Sequence, residues 1–119
     1  MRVTINLTVE NKKRFEEIMK DPLMNNKTIA IRMSISLGLL QLLQGKKASL
    51  KGKVQLKFNT GTIDPMGIFG VVAYYIISKQ LGASKKNKKV ILASKKEIVE
   101  KIAEAFILGL EELYDYNWS

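Results

Sequence analysis

The sequence predicts an α+β chain in three parts: a strand and two helices over residues 1–44, a basic linker over 45–53, and a small strand–helix–strand–helix unit over 54–119. Three observations support this. Residues 2–9 and 54–59 alternate between apolar and polar, the period of a half-buried strand. Apolar residues then recur at three- and four-residue spacing, the period of a helix. Between the two parts, Gly45 to Lys53 carries four lysines and little apolar surface.

Each element has local support. Val3, Ile5, Leu7 and Val9 share one side of the first strand, and Arg2, Thr4, Asn6 and Thr8 the other. Thr8 suits a helix N-cap, and Phe15, Ile18 and Met19 form the core stripe of the helix that follows, which Asp21-Pro22 closes. Asn25-Asn26 offers a second N-cap. The next helix, from Ile29 to Leu43, is apolar on more than one face, so it needs burial on several sides. In so short a chain that predicts a partner subunit. Gly45 ends the helix as a C′ residue.

The second part opens with the strand Val54–Asn59, then a turn over Gly61–Asp64 and a helix from Met66 to about Gln80 with Pro65 at its first position. Val90–Ala93 reads as a short apolar strand. Ser94 and Glu97 make a capping box for the last helix, whose stripe is Ile98, Ile102, Phe106, Leu110 and Leu113. No internal repeat stands out. Arg2–Met19 and Lys88–Phe106 each read as strand then helix, but their residues do not match.

Composition narrows the chemistry. The 119 residues hold no Cys and no His. A disulfide framework, a thiolate metal site and a Ser-His-Asp triad are therefore impossible, and the commonest ligand for transition metals is missing. We expect no catalytic residues, no metal and no cofactor. No targeting segment or membrane span is recognisable, which predicts a soluble, cytoplasmic protein. The net charge of +9 is unevenly spread: +3 over residues 1–44, +11 over 45–96 and −5 over 97–119. A positive middle of that size predicts a polyanionic partner.

Residues 1–44 resemble the ribbon–helix–helix family of DNA-binding proteins, which includes the Arc, MetJ and CopG-like repressors. The resemblance lies in the strand Arg2-Val3-Thr4-Ile5-Asn6-Leu7-Thr8, in Phe15 and Ile18, and in the run Asn26-Lys27-Thr28-Ile29-Ala30-Ile31-Arg32-Met33-Ser34-Ile35-Ser36-Leu37-Gly38-Leu39. Asn11 and Lys12 stand where the family's first helix carries an apolar residue. The resemblance implies a homodimer in which the first strands of two copies pair into an antiparallel ribbon that enters the major groove of double-stranded DNA; a tetramer, through contacts of residues 54–119, is the alternative assembly. It implies that Arg2, Thr4 and Asn6 contact bases, that Asn26, Lys27 and Thr28 meet a phosphate at a helix start, and that Thr8 is a cap. Lys46 and Lys47 in the linker are further phosphate candidates.

The function expected from this is a sequence-specific transcriptional regulator, a repressor, with residues 54–119 adding oligomer or effector contacts. Two other classes compete. One is an antitoxin or other partner-binding protein with autoregulatory DNA binding. The other is an α/β protein that binds nucleic acid non-specifically through its lysines. Gly61–Gly70 follows a strand as a phosphate cradle would, but it lacks the P-loop Lys-Ser/Thr pair, so a small-molecule effector has little support. Gly67 and Gly70 are expected to allow close helix packing. The glutamates at 97, 100, 104, 111 and 112 read as a solvated face, or as partners for a neighbouring subunit's lysines.

Overall fold

The first alternating segment is a strand, β1 (Arg2–Leu7), and its partner lies within the same chain. β2 (Val54–Asn59) runs antiparallel to it in the register Arg2 to Asn59, Ile5 to Leu56 and Leu7 to Val54. The two strands are the whole sheet among the described residues. The computed structural model describes residues 2–84 and 94–117, so the expected strand Val90–Ala93 lies outside the described residues. A ribbon of two β1 strands from two copies was the expectation; within this chain β1 pairs with β2.

After β1, Thr8 caps α1 (Val9–Ile18), its hydroxyl accepting from the Asn11 N–H at 3.0 Å. This helix stops at Ile18, short of Asp21-Pro22, because the Lys20 and Asp21 N–H groups tighten to the Glu17 and Ile18 carbonyls. Asn26 caps α2 (Lys27–Leu43) by accepting from the Thr28 and Ile29 N–H groups at 2.9 and 3.2 Å. At its other end Gly45 has a φ of 88°. The Gly45 and Lys46 N–H groups return to the Leu42 and Gln41 carbonyls, a Schellman ending that favours glycine at this position.

The turn expected over Gly61–Asp64 is a single helical turn, α3 (Thr60–Ile63), capped by Asn59. The following helix, α4 (Ile68–Ser84), starts later than expected. Pro65 lies ahead of it, and the Asp64 carboxylate accepts from the Phe69 and Gly70 N–H groups at 3.1 and 3.0 Å. A side chain six residues upstream thus supplies the start signal in place of Pro. The last helix, α5 (Lys95–Asn117), begins at the expected capping box, with Ser94 Oγ accepting from the Glu97 N–H at 3.2 Å.

Both parts of the sequence contribute to one core. Val3, Ile5 and Leu7 from β1, Leu56 and Phe58 from β2, Ile31 and Ile35 from α2, and Ile102, Phe106 and Leu110 from α5 belong to a single buried cluster. Phe15 meets Phe106 edge to face at 5.7 Å. The helix pair α2–α5 is the main contact of the fold, with α4 packed against both. α2 therefore finds much of its expected cover on α5 and α4 of its own chain, and Ile29, Met33 and Leu40 stay exposed.

Two glycines make the α2–α5 contact close. A Cβ on Gly38 would overlap the Ala105 carbonyl, and a Cβ on Gly109 would overlap the Ser34 carbonyl. Gly67 and Gly70 do not play the packing part expected of them. Gly67 lies before α4 with a φ of 70° and open space around it, and Gly70 has no neighbour closer than the Asp64 carboxylate.

Candidate nucleic-acid interface

Alternation along β1 and β2 gives the ribbon two unlike sides. Val3, Ile5, Leu7, Leu56 and Phe58 are buried against the helices. Arg2, Thr4 and Asn6 point outward from β1, and Gln55, Lys57 and Asn59 from β2. Across the strands Arg2 faces Asn59, Thr4 faces Lys57 and Asn6 faces Gln55. Neither strand carries an Asp or Glu. The outer side is thus a flat row of hydrogen-bonding and cationic groups fixed by an apolar inner side. A slip of one residue would turn every one of those side chains over.

The three expected base-contacting residues, Arg2, Thr4 and Asn6, lie together on this side and are exposed. Gln55 and Lys57 were not among the expected base contacts. Their alternation was legible, but which strand they join was not. Asn59, though exposed, is occupied locally: its side-chain oxygen accepts from the Gly61 N–H at 2.8 Å. It is a cap for α3, as Thr8 is for α1.

The expected phosphate contacts do not form one cluster. Asn26 and Thr28 lie at the start of α2, where the Asn26 side chain already takes the Thr28 and Ile29 N–H groups. Lys27 donates to the Lys57 carbonyl of β2 at 3.3 Å, which ties this helix start to the ribbon. Its ammonium has two further donors for an anion. Lys27, Thr28, Lys57, Asn59 and Thr62 line a shallow cavity of about 150 Å³ there.

Lys46 and Lys47 lie at the opposite end of α2, about 25 Å away for a helix of 17 residues at 1.5 Å per residue. Lys46 lines a cleft with Glu111, Glu112 and Asp115, whose carboxylates repel a phosphate. The structure thus ties Lys27 to β2 at the start of α2 and sets Lys46 and Lys47 at the other end of that helix.

Three glutamates of α5, Glu104, Glu111 and Glu112, bond within the chain, while Glu97 and Glu100 are exposed. Glu104 bonds the Lys101 ammonium at 3.0 Å, and its other oxygen accepts from the Ala48 N–H at 2.9 Å, pinning the linker to α5. Glu112 accepts from the amide of the buried Gln41. Asn11, at a position where an apolar residue was expected, is 5% exposed. It is held by Arg14 at 2.8 Å and by Glu111 at 3.4 Å, and Arg14 also stacks over Tyr114 at 5.7 Å. Asn11 therefore closes a polar link between α1 and α5, which satisfies its amide under cover.

No helix among the described residues is long and apolar enough to cross a membrane. Comparison of the chain with family models, with curated proteins and with solved structures found no match.

Proposed function

We propose that this protein is a sequence-specific double-stranded DNA-binding regulator, a repressor, that lays the β1–β2 ribbon in the major groove in the manner of ribbon–helix–helix proteins. The observation that carries this reading is the outer side of the ribbon: Arg2, Thr4, Asn6, Gln55 and Lys57 exposed together, with no acidic residue on either strand. The groove is about 12 Å wide and admits a two-stranded ribbon. Arg and Lys match the two acceptors of guanine, Asn and Gln match the acceptor–donor pair of adenine, and the Thr methyl suits thymine. In this reading Lys27, whose ammonium bonds the Lys57 carbonyl of β2, takes a backbone phosphate beside the ribbon.

β2, α4 and α5 join the same core as the first strand, which suits a reader built from both parts of the chain better than a segment kept free for a toxin. Replacing Arg2, Thr4 and Asn6 together by Ala tests the proposal. Selection of binding sites from random duplex DNA should yield a preferred sequence for the wild-type chain and none for the variant, with circular dichroism and thermal midpoint unchanged. Undiminished selectivity in the variant would overturn the reading. Binding by the wild-type chain with no sequence preference would replace it with non-specific binding.

A further inference from the structure

The two halves of this chain correspond to each other through an approximate two-fold relation. In the ribbon the correspondence is a shift of 51 residues: Val3 to Val54, Ile5 to Leu56 and Leu7 to Phe58 on the inner side, and Thr8 to Asn59 as the two helix caps. Exchanging the strands carries the facing pair Ile5 and Leu56 onto itself, as a two-fold axis through that pair requires.

A second, independent correspondence relates α2 to α5 by a shift of 71 residues. It takes Gly38 to Gly109 and Ser34 to Ala105. The close contacts obey it reciprocally, since Gly38 abuts the Ala105 carbonyl and Gly109 abuts the Ser34 carbonyl. It also takes Gln41 to Glu112, and these two bond each other, as a pair on the axis must. The first helices cross over in the same way: α1 packs on α5, and α3 packs on α2. The shifts of 51 and 71 differ by 20 residues. The segment holding α4 takes up that difference and has no counterpart in the first half. A search for a repeat at one fixed spacing fails for this reason.

Two identical strands related by a two-fold axis present the same side chains twice and match a palindrome. Here the inner positions correspond closely, but the outer ones differ: Arg2 corresponds to Lys53, Thr4 to Gln55 and Asn6 to Lys57. We infer that one copy of this chain is a complete reading unit, a fused pair of unequal halves, and that the duplex site under its ribbon is asymmetric. This rests on the DNA reading proposed above.

The test uses the full chain and random duplex DNA, with native mass spectrometry to count copies per bound duplex. The wild-type chain should select a non-palindromic site with one copy on each ribbon footprint. Lys53→Arg, Gln55→Thr and Lys57→Asn together would give β2 the outer side of β1. All three positions are exposed, so the fold should be retained. That variant should select a palindrome at the same footprint and prefer it over the wild-type site by roughly tenfold or more for each base pair changed. A palindromic site for the wild-type chain, or two copies sharing one ribbon footprint, would overturn the inference and leave the DNA reading standing. Failure of the wild-type chain to select any sequence would overturn both.

Discussion

The strands β1 and β2 agree where they touch the core and disagree where they face outward. In α2 and α5 the buried positions Ile31 and Ile102, Gly38 and Gly109, and Leu39 and Leu110 agree, while the exposed Ile29 corresponds to the exposed Glu100; the buried Ile35 and Phe106 differ in size. Packing explains the difference. A buried position must match its neighbours in volume to within about a methylene, whereas an outward position carries little such constraint. The paired halves therefore keep a common frame and are free to present two different surfaces.

The largest effect expected from breaking this comparison is in the core. Ile35 and Phe106 correspond and are both fully buried, but Phe106 also stacks on Phe15. Phe106→Ala should destabilise by about 3–5 kcal/mol and Ile35→Ala by less, with about 2 kcal/mol as its lower bound, as read from urea unfolding. Equal losses would show that the two halves share the core evenly.

Next come the close-packed glycines. Gly38→Ala and Gly109→Ala each place a methyl against a helix backbone. Each should lower stability by about 1–3 kcal/mol, since backbone yields less readily than a side chain. The two losses should be alike in denaturant titration. Tolerance of one and not the other would break the reciprocal contact on which the two-fold relation stands. The smallest effect is expected at the helix starts. Asn26→Ala and Ser94→Ala should each cost about 1 kcal/mol in thermal unfolding, because each removes a side-chain acceptor from N–H groups in the first helical turn. A much larger loss at Asn26 would mean that its helix start also anchors the ribbon through Lys27.

Much of the fold was legible because the signals are local. The alternation of β1 and β2, the caps at Thr8, Asn26 and Ser94, the stop at Gly45 and the stripe of α5 all depend on residues a few positions apart. The errors came from longer reach. α4 starts at Ile68 because the Asp64 side chain takes its first N–H groups, a geometry that a Pro-at-first-turn rule does not anticipate. The packing glycines are Gly38 and Gly109, and no single-helix pattern separates them from Gly67 and Gly70. For the candidate site, Arg2, Thr4 and Asn6 were readable from β1 alone. Gln55 could not be assigned to the same surface without knowing that β2 is the strand beside them, and the separation of Lys46 from Lys27 depended on the length of α2.

The sequence by itself determined that β1 and β2 are strands and that α1, α2, α4 and α5 are helices, and that the chain lacks the imidazole and thiol groups of most catalytic and metal sites. Backbone propensity, capping and periodicity act over a turn or a few residues, so these features are written in order along the chain. Only the tertiary structure decided what lies beside β1 and what covers α2. The hydrophobic effect that drives both contacts has no direction and no address: an apolar face is buried equally well by a second copy or by a distant part of the same chain. Here one register, Ile5 against Leu56, sets β2 beside β1, and one close contact, Gly38 against Ala105, sets α5 against α2.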